Sequence, residues 1–449
     1  MSKLRRKYII YPGLLILLIP AYFLFAEAYP KTAQRFPFML ILLGVDFYLW
    51  HSIRDKVKNL VLPVRLTIGI LYWIPLAVAL FLTIFAPAGD LNLTHPSLVS
   101  YILGVVLVIY LAKLITVVFF LLADLYRIIL FTIRHAHAKS TGKPVEQGTK
   151  ITRGRFLRTI GWATGGLFFS GMLIGMVKWA HDFRVRYVDL NLPDLPDAFD
   201  GMRIVQISDL HLGSWASVDP IETAVEIIND LDADLVLFTG DLVNYSTKEA
   251  DRFSEVLRKV EAKHGVYAIL GNHDYGDYVN WPSENDKKEN LTALYRYYEN
   301  IGWTLLRNEN RVIESDGEKL ALIGVENWSS SARFPKLGNL SGAIKGTEDI
   351  PVKILMSHDP THWEKEVSSK YPQIDVTLSG HTHGFQFGLE LKNFRWSFAQ
   401  YVYKYWAGLY ENNDTANPRY LYVNRGLGMI GYPGRVGILP EITHITLSS

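Results

Sequence analysis

The chain has 449 residues, with 46 Lys and Arg against 44 Asp and Glu, and its net charge of +2 gives no reason to expect nucleic acid as a partner. The length admits more than one domain. Cysteine is absent, which excludes a disulfide framework and leaves packing and bound ions to hold any part outside the cytoplasm.

Residues 1–180 differ in kind from the rest. Five apolar stretches, residues 8–26, 36–53, 66–86, 98–122 and 159–179, each approach the roughly 20 residues that a bilayer-crossing helix requires. The first follows Lys3, Arg5, Arg6 and Lys7 but shows no small-residue cleavage pattern, so it reads as a span rather than a removed signal. Arg54, Lys56 and Lys58 make a second positive loop. Arg134, Lys139, Lys143, Lys150, Arg153, Arg155 and Arg158 make a third. The loops between are poorer in Lys and Arg. Five crossings from a cytoplasmic N-terminus then place the remainder outside the cytoplasmic membrane of a bacterium.

Residues 152–157 are similar to a twin-arginine export signal, but Gly154 separates Arg153 from Arg155, and an ordinary positive anchor accounts for them. Asp46 and Asp124 lie within or at the ends of spans, where a carboxylate marks either a transport path or helix pairing; Arg127, three residues after Asp124, favours pairing. His135 and His137 have the spacing of a ligand pair but no third partner, and read as part of a solvated loop.

A domain boundary is expected near residue 181. Alternation over residues 183–188 predicts a half-buried strand, which Pro193 and Pro196 break. Helical stretches at 221–231, 249–262 and 289–299 then alternate with strands, and strand-rich sequence follows at 319–325 and at the C-terminus. An α/β sandwich of two packed sheets with outer helices fits this order.

The residues that carry chemistry stand behind apolar runs. Residues 203–206 lead into Asp209 and His211, which in extended backbone aim at one spot because they are two apart. Residues 235–238 lead to Asp241, 266–270 to Asn272-His273-Asp274, 353–356 to His358, and 375–378 to His381 and His383. Five such strand ends serve one site if the strands lie side by side, since open α/β sheets place their sites outside the strand ends. Carboxylate, amide oxygen and imidazole suit hard or borderline divalent ions.

These blocks resemble the calcineurin-like metallophosphoesterase superfamily, whose pattern runs D-x-H, G-D, G-N-H-D/E, H and G-H-x-H in this order. The sequence is most similar to a bacterial membrane-associated branch, through the closing Arg425-Gly426-Leu427-Gly428 and Pro440-Glu441-Ile442. The resemblance implies a four-layer αββα sandwich for residues 181–449, preceded by the all-α transmembrane region of residues 1–180. It implies two divalent ions, drawn from manganese, iron or zinc with manganese the first choice. Asp209, His211 and His383 would hold one, Asn272, His358 and His381 the other, and Asp241 would bridge both. His273 would touch the phosphate and protonate the leaving oxygen, with Asp274 orienting its imidazole. The implied activity is hydrolysis of a phosphoester or pyrophosphate bond by hydroxide held on the metals, without a Ser or Cys nucleophile.

Two departures bear on the substrate. No Arg follows Gly240-Asp241 within the next four residues, so phosphate contacts must come from elsewhere, and Phe385 stands after Gly384 where many relatives have Gly. Residues 394–410 hold eight aromatics among Arg395 and Lys404, with Lys392 just before, a composition that suits a membrane interface. This segment is expected to tip the site toward the bilayer and admit a lipid-linked phosphate, or to form a plain cap. The expected partners are therefore the bilayer and a phosphorylated small-molecule or lipid substrate, plausibly a cell-envelope precursor. Two other readings stand beside this one: a UDP-diacylglucosamine-type pyrophosphatase on the cytoplasmic face, and a non-catalytic metal-binding sensor or transporter domain. His273 speaks against the last, because a binding module has no use for a leaving-group acid.

Overall fold

The computed structural model describes residues 22–23, 26–27, 35–85, 95–141, 152–392, 394–412 and 417–449. Among these, four helices are long and apolar enough to cross a membrane: α1 (Phe36–Lys58), α2 (Leu62–Phe85), α3 (Pro96–Thr141) and α4 (Thr152–Val177). The count is four rather than five; the stretch at 8–26 lies outside the described residues except for Tyr22, Phe23 and Ala26. At 46 residues, α3 is about 69 Å long at 1.5 Å per residue, far more than the hydrocarbon core. His135 and His137 consequently stand on its exposed last turns rather than in a loop, with His135 Nδ1 at 2.9 Å from the Phe131 carbonyl.

Inside the helical unit the carboxylates are matched. Asp46 is fully buried; it accepts a hydrogen bond from the Tyr110 hydroxyl at 2.6 Å and pairs with Lys113. Asp124 receives the Tyr48 hydroxyl at 2.6 Å, Arg158 at 2.8 Å and Arg127 at 3.2 Å.

The chain parts into two compact units, Met1–Leu91 with Ile102–Gly171 and Asn92–Tyr101 with Met172–Ser449. The strands of the second unit are β1 (Arg184–Asn191), β2 (Arg203–Ile207), β3 (Leu235–Phe238), β4 (Val266–Ala268), β5 (Thr304–Leu305), β6 (Glu309–Ser315), β7 (Glu318–Gly324), β8 (Val352–Met356), β9 (Val376–Ser379), β10 (Gly388–Leu391), β11 (Phe394–Ser397), β12 (Gly408–Glu411), β13 (Tyr420–Val423) and β14 (Glu441–Ser448). They form two six-stranded sheets, ordered β1-β14-β2-β3-β4-β5 and β12-β13-β9-β8-β7-β6, with β10-β11 as a separate hairpin. Strands β2 to β5 run parallel, as do β7, β8, β9 and β13. Parallel pairing brings the ends that carry the expected ligands to one edge of each sheet.

Alternating side chains split each strand between two cores. Leu235 and Leu237 of β3 join Ile354, Met356, Val376 and Leu378 between the sheets, while Val236 and Phe238 face the outer helices. On that outer face α5 (Asp219–Asp230) buries Ile221, Ala224, Val225 and Ile228, a 3.6-residue stripe. Helix α6 (Glu284–Ile301) starts at Ser283, whose side chain accepts the Asp286 N–H, and ends at left-handed Gly302. On the far side of the second sheet Leu340, Trp363 and Val367 cover Ile323, Leu355 and Leu421. The layers run helix, sheet, sheet, helix, as the family resemblance implies. The helix expected at 249–262 is instead a 3₁₀ segment over Thr247–Phe253 and one α-turn over Ser254–Leu257. The segment opens on a capping box, in which the buried Glu249 carboxylate accepts the backbone N–H groups of Asn244, Tyr245 and Ser246.

Candidate metal centre

Strand ends deliver the ligand residues, but not by the extended geometry expected for Asp209 and His211. Strand β2 stops at Ile207, and both residues adopt left-handed backbone, with φ of +52° and +43°. Asp241 (+61°), His381 (+71°) and His383 (+51°) do the same. Left-handed backbone costs a residue with a β-carbon about 1 kcal/mol or more. The turns hold one another in place. The Asp209 N–H donates to the Gly240 carbonyl at 2.8 Å, the His211 N–H to the Asp241 carbonyl at 3.1 Å, and the Gly428 N–H to the Asp209 carbonyl at 2.7 Å. Gly240, at φ +97°, lies so close to Gly271 that a β-carbon on it would strike the neighbouring backbone. The closing motif is scaffolding: Arg435 donates to the carbonyls of Arg425 at 2.8 Å and Gly426 at 2.9 Å, and Arg425 pairs with Glu441 and, at 2.6 Å, with Glu390.

Side chains of six of the seven expected ligands converge on this edge, and the seventh, Asn272, lines the same cleft as Asp241, His381 and His383. Ligand atoms lie within 4.8 Å of one another in three groups: Asp209, His211 and His383; His211, Asp241 and His273; Asp241, His358 and His381. Asp241 stands in two of them. Its Oδ2 is 3.6 Å from His211 Nε2 and 3.2 Å from His358 Nε2, while its Oδ1 accepts the His273 backbone N–H at 2.8 Å.

Unpartnered polar atoms point to cations. His358 donates Nδ1–H to the Thr239 carbonyl at 2.7 Å, and Asn272 donates its amide to the Tyr278 hydroxyl at 2.7 Å. That leaves Asn272 Oδ1 buried without a hydrogen-bond partner and His358 Nε2 facing only the Asp241 carboxylate, at 3.2 Å. His211 Nε2 and His383 Nε2 face each other at 3.1 Å, with Asp209 Oδ1 at 3.1 Å from the latter. A cation among these donors satisfies lone pairs that otherwise oppose one another. Charge agrees. Burial pushes Asp209 and Asp241 up, yet the imidazoles of His383 and His358 outweigh it and hold both carboxyls below their usual range. Burial lowers His358, but Asp241 overrides it and lifts the ring to about 10, so positive charge is favoured there.

Asp274 does not orient the His273 imidazole. Its carboxylate accepts backbone N–H groups from Gly271 at 2.9 Å, Asp241 at 3.0 Å, Leu242 at 2.9 Å and Val243 at 3.3 Å, which fastens the two ligand turns together. Burial and then the Asp241 charge push it up to about 7. His273 is fixed by the Asn244 carbonyl instead, which meets its Nδ1–H at 2.8 Å, and by the Tyr278 ring stacked at 4.2 Å; burial lowers its pKa.

The site opens into a cleft of about 660 Å³ whose walls include Tyr278, Arg333, Phe334, Phe385, Tyr403 and Tyr432. None of the walls except Phe385 and Tyr403 had a signal in the sequence, because each comes from a loop with no ligand spacing. The Tyr403 hydroxyl meets His381 Nε2 at 3.0 Å, and the Asp359 carboxylate stands 3.6 Å from the same nitrogen. Phe334 meets the same imidazole edge-on at 4.9 Å. Arg333, exposed beside it, places a cation on the cleft wall.

Two packed sheets with a carboxylate shared between imidazole clusters at their strand ends define a metallophosphoesterase. The chain belongs to the calcineurin-like phosphoesterase family and is a membrane-bound, metal-dependent phosphoester hydrolase. Residues 202–385 match the family model described as "Calcineurin-like phosphoesterase", and residues 32–179 match "Probable Calcineurin-like phosphoesterase, transmembrane domain". The uncharacterized metallophosphoesterase YkuE of Bacillus subtilis is 30% identical over 311 residues, covering 67% of this chain and 99% of that protein. A transmembrane protein with metallophosphoesterase domain from Danio rerio is 28% identical over 282 residues, 61% of this chain and 59% of that protein. The UDP-2,3-diacylglucosamine pyrophosphatase LpxG of Chlamydia trachomatis is 29% identical over 280 residues, 55% of this chain and 83% of that protein.

Proposed function

We propose that the protein hydrolyses a phosphoester or pyrophosphate bond of a lipid or cell-envelope precursor with two divalent cations, manganese first among them. Asp209, His211 and His383 would hold one, Asn272, His358 and His381 the other, and Asp241 would join the two. Asp241 carries the reading: one of its oxygens faces imidazoles from both halves, at 3.6 and 3.2 Å, while the other is pinned by a backbone N–H. Bound cations of this kind supply a water nucleophile of lowered pKa and a clamp for the phosphoryl oxygens.

The chain's own residues do the rest. His273, locked through Nδ1 on the Asn244 carbonyl, turns Nε2 to the cleft and donates a proton to the leaving oxygen. Burial disfavours its charged ring, and a phosphate alongside restores it. Arg333 engages a phosphate oxygen as a planar fork. Phe334, Phe385 and Tyr403 suit hydrocarbon next to that phosphate, and LpxG carries such a substrate in its name.

The positive-inside rule supports the orientation. Arg54, Lys56, Lys58 and Arg65 lie around the α1–α2 junction, and Arg134, Lys139, Arg155 and Arg158 flank the α3–α4 junction. Both junctions then face the cytoplasm, and the phosphoesterase domain beyond α4 lies outside the bacterial cytoplasmic membrane, however residues 8–26 are arranged.

The test is metal content and manganese-dependent hydrolysis of a chromogenic phosphodiester and monoester by the full-length protein, beside Asp241→Asn and His273→Ala. Both variants should lose turnover, and Asp241→Asn should also lose metal. Unchanged rates in the two variants would overturn the reading.

A further inference from the structure

Hairpin β10–β11 and the turn after it stand next to the cleft, and their apolar side chains divide in two. Ala399 and Trp406 pack inward with Ala407 and Ile438, as a cap would. Leu389 (47% exposed), Leu391 (59%), Phe394 (54%), Phe398 (50%), Tyr401 (72%) and Val402 (63%) do not. Six bulky apolar groups within residues 389–402 exceed the scattered exposure that a water-facing surface normally shows. Their rings are ordered against one another: Trp396 meets Phe398 edge-on at 4.8 Å, and Phe387 stacks on Phe398 at 6.0 Å.

Three observations select the occupant. Lys392 and Lys404 are exposed at the margin and neither enters an ion pair with another described residue, whereas Glu390, the hairpin's carboxylate, is turned to Arg186 at 2.7 Å and Arg425 at 2.6 Å. The charge offered outward is therefore positive. The patch runs into the cleft through Phe385, which is 44% exposed, lines the cleft and meets Tyr403 edge-on at 6.3 Å. Among its described residues the same chain has four helices long and apolar enough to cross a membrane, and residues 32–179 match a transmembrane-domain family, so a bilayer is within reach.

We infer that residues 389–402 form a docking surface for an anionic lipid bilayer. The apolar side chains enter the acyl region, Lys392 and Lys404 meet the headgroups, and the cleft mouth is thereby set at the lipid surface. An amphiphilic substrate then reaches the site without leaving the membrane.

Because the chain has no cysteine, a single introduced thiol reports its own surroundings, independently of turnover. Tyr401→Cys and Leu391→Cys, each labelled with an environment-sensitive fluorophore, are placed with an exposed control, Lys345→Cys. The full chain is reconstituted in vesicles of phosphatidylcholine and phosphatidylglycerol. Quenching by doxyl lipid together with shielding from aqueous iodide, at 391 and 401 but not at 345, is the expected result. Iodide access without lipid quenching overturns the inference. So does shielding from both quenchers, which would mark the patch as a protein contact instead. In a second arm, Leu391→Glu/Val402→Glu should lower the ratio of vesicle-borne to soluble ester hydrolysis by about tenfold, and an unchanged ratio counts against docking.

Discussion

Buried charge is treated in opposite ways in the two units. In the helical unit the carboxylates are closed by their own donors: the buried Asp46 by Tyr110 and Lys113, and the half-buried Asp124 by Tyr48, Arg127 and Arg158. At the metal centre of the catalytic unit, carboxylates and imidazoles crowd one another: Asp241 Oδ2 faces both His211 and His358, and Asn272 Oδ1 has no partner. A satisfied pair has nothing left to offer a ligand; an unsatisfied cluster is built to receive one. The contrast assigns Asp46 and Asp124 to helix pairing rather than to a transport path.

The sharpest way to break the comparison is Asp241→Asn, which should lower kcat by about a thousandfold or more, some 4 kcal/mol, with the fold retained by circular dichroism. A closed pair should answer differently. Lys113→Met alone leaves Asp46 buried without its cation and should destabilise the protein by about 3 kcal/mol or more, whereas Asp46→Leu/Lys113→Met should recover most of that in a detergent melt. Equal melts for the single and double variants would mean that the pair is not closed.

His362 tests a buried titratable group that stands apart from the clusters. Its Nδ1 meets the Ser357 hydroxyl at 2.8 Å, Trp328 stacks on it at 4.6 Å, and burial lowers it from 6.5 to about 4. The unfolded chain takes up this proton near pH 6.5 and the folded chain only near 4. Stability is therefore whole above pH 6.5 and declines as pH falls toward 4, by about 3 kcal/mol, a loss that His362→Gln should remove from the acid limb of an unfolding series. Smallest is Arg333→Ala, expected to raise KM about tenfold with less change in kcat and with partial recovery in Arg333→Lys.

Much of this was legible in the sequence. Strands β2, β3, β8 and β9 are short apolar runs, and residue types able to bind metal follow each within a few positions, so the pattern already suggested one edge where they could meet. The turn geometry was not legible, because Asp and His tolerate left-handed backbone better than most residues but do not by themselves select it; it is imposed by contacts with residues 240–242 and 428, far away in sequence. The role of Asp274 was misread for a related reason. Adjacency to His273 suggested a side-chain partner, but four backbone N–H groups outcompete one imidazole. Arg333 and Tyr278 arrive from loops without any repeated pattern, and only the fold brings them to the cleft.

The strained turns at Asp209, His211, Asp241, His381 and His383 make metal supply a matter of survival for the molecule as well as of activity. A copy assembled without ions keeps five unfavourable backbone turns, and Asp209 and Asp241 repel each other across the gap. Those loops are where such a copy opens first, and an opened loop is what proteases cut. Abundance at the membrane would then follow the metal content of the surroundings, and the population that persists would be the population already loaded.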